Sequence, residues 1–273
     1  MVSYTLWYWP SIPGRGEYVR LAFAAAEVAF TDNSEGEVGA LVKHIGPQGE
    51  TGHPYHFACP LLEVSNASGG SGKTDGAQDA TKGSTFYISQ TPVILAYLAP
   101  KLKLDGTQEE EDLSIEEAEI RRAHVSQLTA TVLDLSNEIH DTHHPIAAGA
   151  YYEDQKDEAA RRAEDLRNNR IPKFLKIFEA TIAKNPYKSG FLISKHVTTA
   201  DVVLFQVLEG LSFAFPKLSK SLQDGGDYKH LYALRDQVAA IPGIKAYLNS
   251  DRRKPFSNGI FRFYPELDAA LKA

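Results

Sequence analysis

The start of the chain combines a short aromatic run, a proline–glycine turn and a helical pattern. Residues 4–9 read YTLWYW, and such a run fits a strand that is buried on both faces. Pro10 to Gly14 then form a turn. After the turn, apolar residues recur at the spacing of one helix face, namely Tyr18, Leu21, Ala22 and Ala25. The sequence therefore predicts a strand, a tight turn and a helix N-terminus in succession.

This turn carries polar groups suited to holding an anion. Tyr8 and Ser11 supply hydroxyl groups, and Arg15 supplies a positive charge at the start of the predicted helix. The first backbone N–H groups of a helix are unpaired and lie at the positive end of its dipole, so they attract anions. A thiolate is such an anion, and the turn is a candidate site for one.

Two later segments place polar or conformationally special residues at the ends of predicted elements. Pro60 enters a predicted strand over residues 58–64, where a proline is tolerated at the start but not centrally. Gln90 and Thr91 precede a helix that opens at Pro92, and unpaired N–H groups there suit a carboxylate. On the residues alone, a plain N-cap role for Ser89 or Thr91 stays open.

The second half of the chain has helical patterns throughout. An acidic segment at 103–113 fits a linker, and long helices are predicted over 114–141 and 159–182, the latter kinked or split at Pro172. Thr198 and Asp201 form a capping box, and a hydrophobic staple of Val197 with Val202 accompanies it. The helix that follows is apolar on nearly every side and should be the buried centre of its domain.

Together these motifs resemble the cytosolic glutathione transferases over nearly the whole chain. The resemblance implies an α/β thioredoxin-like N-terminal domain at residues 1–103, followed by an all-α C-terminal domain with its tail at 114–273. It also implies a cis Cys59–Pro60 bond, with the backbone of Cys59 contacting glutathione. Gln90 and Thr91 match the pair that binds the γ-glutamyl group, with threonine in place of the commoner serine.

Conjugation by such an enzyme needs glutathione as a thiolate. A free thiol has a pKa of about 8.5 and is only a few per cent ionised at neutral pH, so a hydroxyl donor must stabilise the sulfur anion. We predict Tyr8 for this role, as in the tyrosine-type classes (Alpha, Mu, Pi and Sigma). Ser11 is the alternative, because the spacing to Arg15 is one residue longer than in the Pi class. Cys59 is not expected to be a nucleophile.

Other site residues follow from the resemblance with less support from the residues themselves. Arg15 and Lys43 are expected to contact glutathione, and the second-substrate pocket is assigned to Trp9, Tyr151 and Phe213. The expected function is conjugation of glutathione to small hydrophobic electrophiles, in detoxification. A non-catalytic carrier of glutathione or hydrophobic ligands, and a glutathione-dependent peroxidase, are the alternatives. The aromatic residues of the tail are expected to pack back over the two domains.

Composition limits the partners and the compartment. The chain of 273 residues has 29 basic and 35 acidic side chains, a net charge of −6, which argues against nucleic-acid or anionic-membrane partners. A single cysteine, the absence of a signal-peptide pattern and the lack of a long apolar run predict a cytoplasmic protein. The family resemblance implies a homodimer, with Tyr55 or Phe57 inserting into the partner.

Two further segments carry expectations. Residues 65–84 are low in complexity and predict a long flexible loop between two strands. His140, His143 and His144 invite a metal interpretation, but they are interpreted as capping and packing residues. No metal or cofactor is therefore expected, with glutathione serving as a co-substrate.

Overall fold

The computed structural model describes residues 2–66, 85–108 and 113–271. Most of the predicted loop at 65–84 lies outside the described residues; its first two residues, Ser65 and Asn66, belong to a strand. The N-terminal half is a sheet with helices, and helices make up the second half. This is the predicted architecture of a thioredoxin-like domain followed by an all-α domain.

The sheet has the strand order β2-β1-β3-β4. Strand β1 pairs in parallel with β2, and the other pairs are antiparallel. The strands and helices of this N-terminal domain are, in chain order, β1 (Val2–Trp7), α1 (Gly16–Ala25), β2 (Thr31–Asp32), α2 (Val38–Val42), β3 (Leu61–Asn66), β4 (Thr85–Ser89) and α3 (Thr91–Leu98).

Two strand boundaries differ from the sequence prediction. Strand β1 ends at Trp7, so Tyr8 lies in the turn rather than in the strand. Strand β3 begins only after Pro60, because a proline has no N–H to donate to the ladder. Both shifts place the predicted functional residues in loops beside the ends of the strands.

A buried ionic cluster holds α1 against the rest of the molecule. Arg20 and Glu17 of α1 are fully buried. Arg20 donates to Asp32 at 2.6 Å and to the carbonyl oxygen of Pro13 at 3.1 Å. Glu17 accepts a 2.7 Å hydrogen bond from the hydroxyl of Tyr247 and forms an ion pair with Arg253. The cluster therefore fixes the turn before α1 and anchors α1 to the C-terminal region.

Helices build the second domain. They are α4 (Ile115–His140), α5 (Lys156–Asp165), α6 (Ile171–Ala183), α7 (Thr199–Ala214), α8 (Pro216–Asp224), α9 (Lys229–Ala239) and α10 (Pro242–Leu248). A π-helical segment at Leu166–Arg170 separates α5 from α6, and Pro172 lies in the first turn of α6. The predicted split of the 159–182 helix is confirmed, since proline is tolerated only in a first turn.

Helix α7 is the buried centre of this domain, as its apolar sequence predicted, and its N-terminus has the predicted capping box. The carboxylate of Asp201 accepts hydrogen bonds from the main-chain N–H groups of Thr198 and Leu192, each at 2.8 Å.

Within the described residues, no single helix has the length and apolar character to cross a membrane. The bent pair α7 and α8 meets those criteria only when the two are taken together.

The C-terminal tail packs back over the helical domain, as expected. Ile260 and Phe261 are buried, and the ring of Phe261 lies directly against Gly210 of α7. A side chain at Gly259 would contact the backbone of Gly14 in the turn after β1. The tail thus covers α7 and reaches the predicted anion site.

Candidate functional site

A cleft of about 360 Å³ lies between the sheet domain and α4. It is lined by Arg15, Phe57, Ala58, Cys59, Pro60, Gln90, Thr91 and Asn137. The Cys59–Pro60 peptide bond is cis, as the resemblance implied. The cleft therefore brings together five of the six residues predicted to bind glutathione. The sixth, Lys43, is exposed at the end of α2 and does not line this cleft.

The start of α3 lines the cleft and contains a buried hydroxyl without a partner in the part of the chain that the structure describes. Gln90 is the N-cap residue and has φ of 72°, a left-handed conformation that is unusual for a non-glycine residue. Thr91 is 4% exposed, and its Oγ1 atom has no hydrogen-bond partner among the described residues. Ser89 instead bonds His56 at 2.9 Å. Gln90 rather than Ser89 or Thr91 is the N-cap, so the plain capping role does not explain the Thr91 hydroxyl.

Arg15 connects the two domains across the cleft. It is the N-cap residue of α1, and its Nη2 atom donates to Oδ1 of Asn137 on α4 at 2.8 Å. A smaller cavity of about 190 Å³ adjoins the cleft and shares Arg15, Gln90, Thr91 and Asn137 with it. A positive charge is thus held where the N-termini of α1 and α3 face α4.

Tyr8 is packed tightly beneath the turn. Its side chain is 6% exposed, and a Cβ atom added at Gly14 would lie 2.2 Å from its hydroxyl oxygen. The same ring lies against Gly16, so glycine is required at both positions for the ring to fit. The main-chain N–H of Arg15 donates to the Tyr8 hydroxyl at 2.7 Å. Burial raises the pKa of Tyr8 to about 12, which keeps the phenol protonated at neutral pH.

The two candidate hydroxyls therefore occupy different environments. Ser11 is exposed in the turn and has φ of 64°. In the described part of the chain, neither Tyr8 nor Ser11 is among the residues that line the 360 Å³ cleft. The thiol of Cys59, which does line it, is close enough to Tyr8 to raise the pKa of the phenol. Tyr8 is therefore near Cys59 but does not itself line the cleft.

The Cys59 sulfur itself has the character of a neutral thiol. Burial raises the pKa of Cys59 to about 11, although a backbone N–H from Trp9 and the charge of Arg15 act to lower it. The thiolate is the nucleophilic form of cysteine, so a raised pKa disfavours covalent chemistry at this sulfur. The raised pKa agrees with the expectation that Cys59 is not a nucleophile and that its backbone, rather than its sulfur, serves the site.

The predicted second-substrate residues are dispersed. Trp9 is partly exposed and directs its main chain toward Cys59. Tyr151 is 78% exposed before a short 3-10 turn, and Phe213 on α7 stacks on Phe256 of the tail with ring centroids 5.1 Å apart. None of the three lines either of the clefts described above.

Sequence reasoning missed Asn137. It lies near the C-terminal end of α4, where polar residues surround it, and nothing local distinguishes it. Its role is visible only through Arg15, which is 122 residues away in sequence.

The three histidines at the end of α4 are close together in space. His140 is the last residue of α4, and His143 is 1% exposed. The ring centroid of His140 lies 5.0 Å from that of His143 and 5.0 Å from that of His144. The rings do pack against one another, as the sequence interpretation held, but packing alone does not account for their polar atoms.

Comparison with models of protein families gives a match within the helical domain. The family described as "Glutathione S-transferase, C-terminal domain" matches residues 140–251. No curated protein matches the sequence.

Solved structures match nearly the whole chain. A glutathione S-transferase of Caenorhabditis elegans is 23% identical, with a TM-score of 0.56, over 93% of this chain and 100% of that one. A prostaglandin synthase D of Nilaparvata lugens is 21% identical, with a TM-score of 0.56, over 93% and 99%. Rat hPGDS complexed with a quinoline is 21% identical, with a TM-score of 0.60, over 93% and 98%. At such identities the structures establish a shared fold.

Proposed function

Because this chain belongs to the glutathione S-transferase superfamily, we propose that it binds glutathione in the 360 Å³ cleft and conjugates it to small hydrophobic electrophiles. The observation that carries the proposal is the buried, unpartnered hydroxyl of Thr91 at the N-terminus of α3. A buried hydroxyl without a partner costs about 1–3 kcal/mol, and a ligand carboxylate would supply the missing partner.

The cleft suits a charged tripeptide. The N-terminus of α3 offers unpaired N–H groups and the Thr91 hydroxyl to a carboxylate, and Arg15 adds a cation. Cys59 also lines the cleft, and its main chain is a candidate to pair with extended peptide backbone. Lys43 stays a candidate only for an end of the ligand that extends beyond the cleft.

The bond between Arg15 and Tyr8 supports a role for Tyr8 in stabilising the thiolate. Since the Tyr8 oxygen accepts the N–H of Arg15, the phenolic proton remains free to donate to a sulfur anion. A decrease of two units in the pKa of the thiol would correspond to about 2.7 kcal/mol. Ser11 remains the alternative donor, because it is exposed in the same turn.

Tyr8 is buried and is not among the residues that line the cleft, which favours a second function, the non-catalytic binding of glutathione or hydrophobic ligands. A phenol that never reaches the sulfur leaves the thiol un-ionised, and a fold does not by itself confer activity. The two functions predict the same binding but different turnover.

Calorimetric titration with glutathione, followed by a turnover assay with a chlorinated aromatic electrophile, tests both functions. Binding with turnover supports the transferase. Binding without turnover on several electrophiles supports the carrier. Reduction of an organic peroxide in place of conjugation would indicate a glutathione-dependent peroxidase. If glutathione fails to bind, both proposals are wrong.

We also propose that the protein is a cytoplasmic homodimer. Phe57 and Tyr55, next to the cleft, are 88% and 59% exposed, and exposed aromatic side chains of this size often mark an interface. Light scattering after size exclusion should give twice the chain mass, and Phe57→Ala should shift the mass towards the monomer. A monomeric wild-type protein at micromolar concentration would contradict the proposal.

A further inference from the structure

The end of α4 holds a cluster of imidazole nitrogens. His140, His143 and His144 each offer one ring nitrogen, and these three atoms all lie within 4.8 Å of one another. The cluster is fixed from two sides, by the end of α4 and by the tail segment at Ile260. It is separate from the residues that line the proposed glutathione cleft.

The second nitrogen of each ring contacts an oxygen acceptor. Nδ1 of His140 lies 3.2 Å from the carboxylate of Asp141. Nε2 of His143 lies 3.0 Å from the carbonyl oxygen of Ile260, and Nδ1 of His144 lies 3.2 Å from that of Ala150. A carboxylate or carbonyl oxygen only accepts, so each of these nitrogens must carry the proton and donate it.

The tautomers are therefore set by their surroundings. In the neutral ring, the nitrogen opposite the donor has a free lone pair. These are Nε2 of His140, Nδ1 of His143 and Nε2 of His144. Protein metal sites are built in this way, since a ligating histidine almost always donates its other N–H to a carboxylate or backbone carbonyl.

The buried member of the cluster has an unexplained atom. Nδ1 of His143 is buried without a hydrogen-bond partner among the described residues. A buried nitrogen without a partner lowers stability, and a simple packing role does not compensate for that cost. A metal ion at the centre of the cluster would bond this lone pair.

We propose that His140, His143 and His144 form a binding site for one divalent transition-metal ion of the kind that prefers imidazole, with zinc as the reference ion. Zinc, copper, nickel and iron suit imidazole ligands, whereas magnesium and calcium require oxygen. Three histidines satisfy three positions of a tetrahedral ion, and the fourth is left for water or the half-exposed carboxylate of Asp141.

The geometry requires only a small adjustment. Zinc–nitrogen bonds of about 2.0–2.1 Å place tetrahedral ligand atoms roughly 3.3 Å apart. The distances between the three ring nitrogens, which are at most 4.8 Å, must therefore shorten when the ion binds. His140 and His144 are partly exposed and have room to rotate, while His143 is held by Ile260. Arg262 and Arg15 are nearby cations that oppose the ion's charge. The guanidinium of Arg262 donates to the carbonyl oxygens of Gly259 and Asn258, and that of Arg15 donates to Asn137.

Equilibrium dialysis of the tag-free chain against zinc, without glutathione, tests the site. We expect one bound equivalent in the wild type and at least a roughly 10-fold weaker affinity in His140→Ala and in His144→Ala. His124→Ala removes an exposed histidine from the same helix and should bind like the wild type. Circular dichroism confirms that each variant is folded.

Cobalt provides a second measurement. Co²⁺ bound to the wild type should give the visible absorption of a tetrahedral site, and His140→Ala should lose it while His124→Ala keeps it. The proposal is overturned if the wild type binds no stoichiometric zinc, or if the variants of His140 and His144 bind it as tightly as the wild type. Because the readout is metal binding, it does not depend on the proposed transferase activity.

Discussion

The main-chain N–H of Arg15 donates a 2.7 Å hydrogen bond to the hydroxyl oxygen of Tyr8. This bond joins the N-cap residue of α1 to the phenol of Tyr8. The bond orients the Tyr8 phenol because it occupies the hydroxyl oxygen. The hydroxyl hydrogen of Tyr8 takes no part in this bond. The chemistry of the site depends on whether that hydrogen reaches a sulfur atom.

Tyr8→Phe should lower kcat/KM for the chlorinated electrophile roughly 100-fold, because a hydrogen-bond donor positioned to stabilise an anion accelerates a reaction by about that factor. The acid limb of the pH–rate profile should move up towards the pKa of a free thiol, about 8.5. The measurement is steady-state kinetics across pH, with the remote Tyr232→Phe as the control. Full activity in Tyr8→Phe together with a loss in Ser11→Ala would assign the role to Ser11.

Thr91→Val should weaken glutathione binding by roughly 10–100-fold, since a hydrogen bond to a charged group contributes about 1.5–3 kcal/mol. The free energy of unfolding should not fall, because the hydroxyl has no partner in the ligand-free protein. Calorimetry and urea unfolding measure the two effects. Thr129→Val is a matched control, because Thr129 Oγ1 on α4 is also buried and unpartnered but lies outside the cleft. Equal affinities for Thr91→Val and Thr129→Val would show that the hydroxyl does not contact the ligand.

Local rules of sequence predicted much of this fold. The Thr198–Asp201 motif and the helix break at Pro172 each depend on a few adjacent residues. Such features follow from the missing N–H of proline and from side chains that cap nearby backbone groups. They needed no knowledge of distant partners.

The rest of the site depends on distant contacts. Asn137 bonds Arg15, which is 122 residues away, and His143 contacts the carbonyl oxygen of Ile260, which is 117 residues away. The family resemblance placed Lys43 in the site, yet the short helix α2 leaves it exposed away from the cleft. Periodicity describes one element at a time, so it cannot say which elements meet.

The bond between Arg15 and Asn137 should couple the two domains to ligand binding. Arg15→Ala and Asn137→Ala should each reduce glutathione affinity about 10-fold, and the double variant should lose less than the sum, with a coupling energy of about 0.5–3 kcal/mol. Calorimetry on the four proteins completes the cycle. Glu138→Ala is the control, since Glu138 faces Arg170 instead. Strict additivity would show that Asn137 does not act through Arg15.

The buried pair of Arg20 with Asp32 should make stability depend on pH. Burial acts to raise the pKa of Asp32, but the 2.6 Å bond and the charge of Arg20 lower it below its ordinary value of 3.8. A carboxylate with a lowered pKa stabilises the folded state at pH values above 3.8, and this contribution is lost as pH falls through the lower, folded-state value.

Asp32→Asn should therefore lower the free energy of unfolding by about 3 kcal/mol at neutral pH, since it leaves the buried charge of Arg20 with weaker compensation. The difference from the wild type should shrink as the pH falls from 3.8 towards the lower pKa of the folded state, below which the wild-type carboxylate is also neutral. Urea unfolding across a pH series measures it, and Asp227→Asn, at an exposed site, should cause little change at any pH. A deficit that is constant or growing towards acid pH would contradict the assigned pairing. Because Arg20 also holds the carbonyl oxygen of Pro13, a folded Asp32→Asn protein should in addition show weaker glutathione binding through a loosened turn.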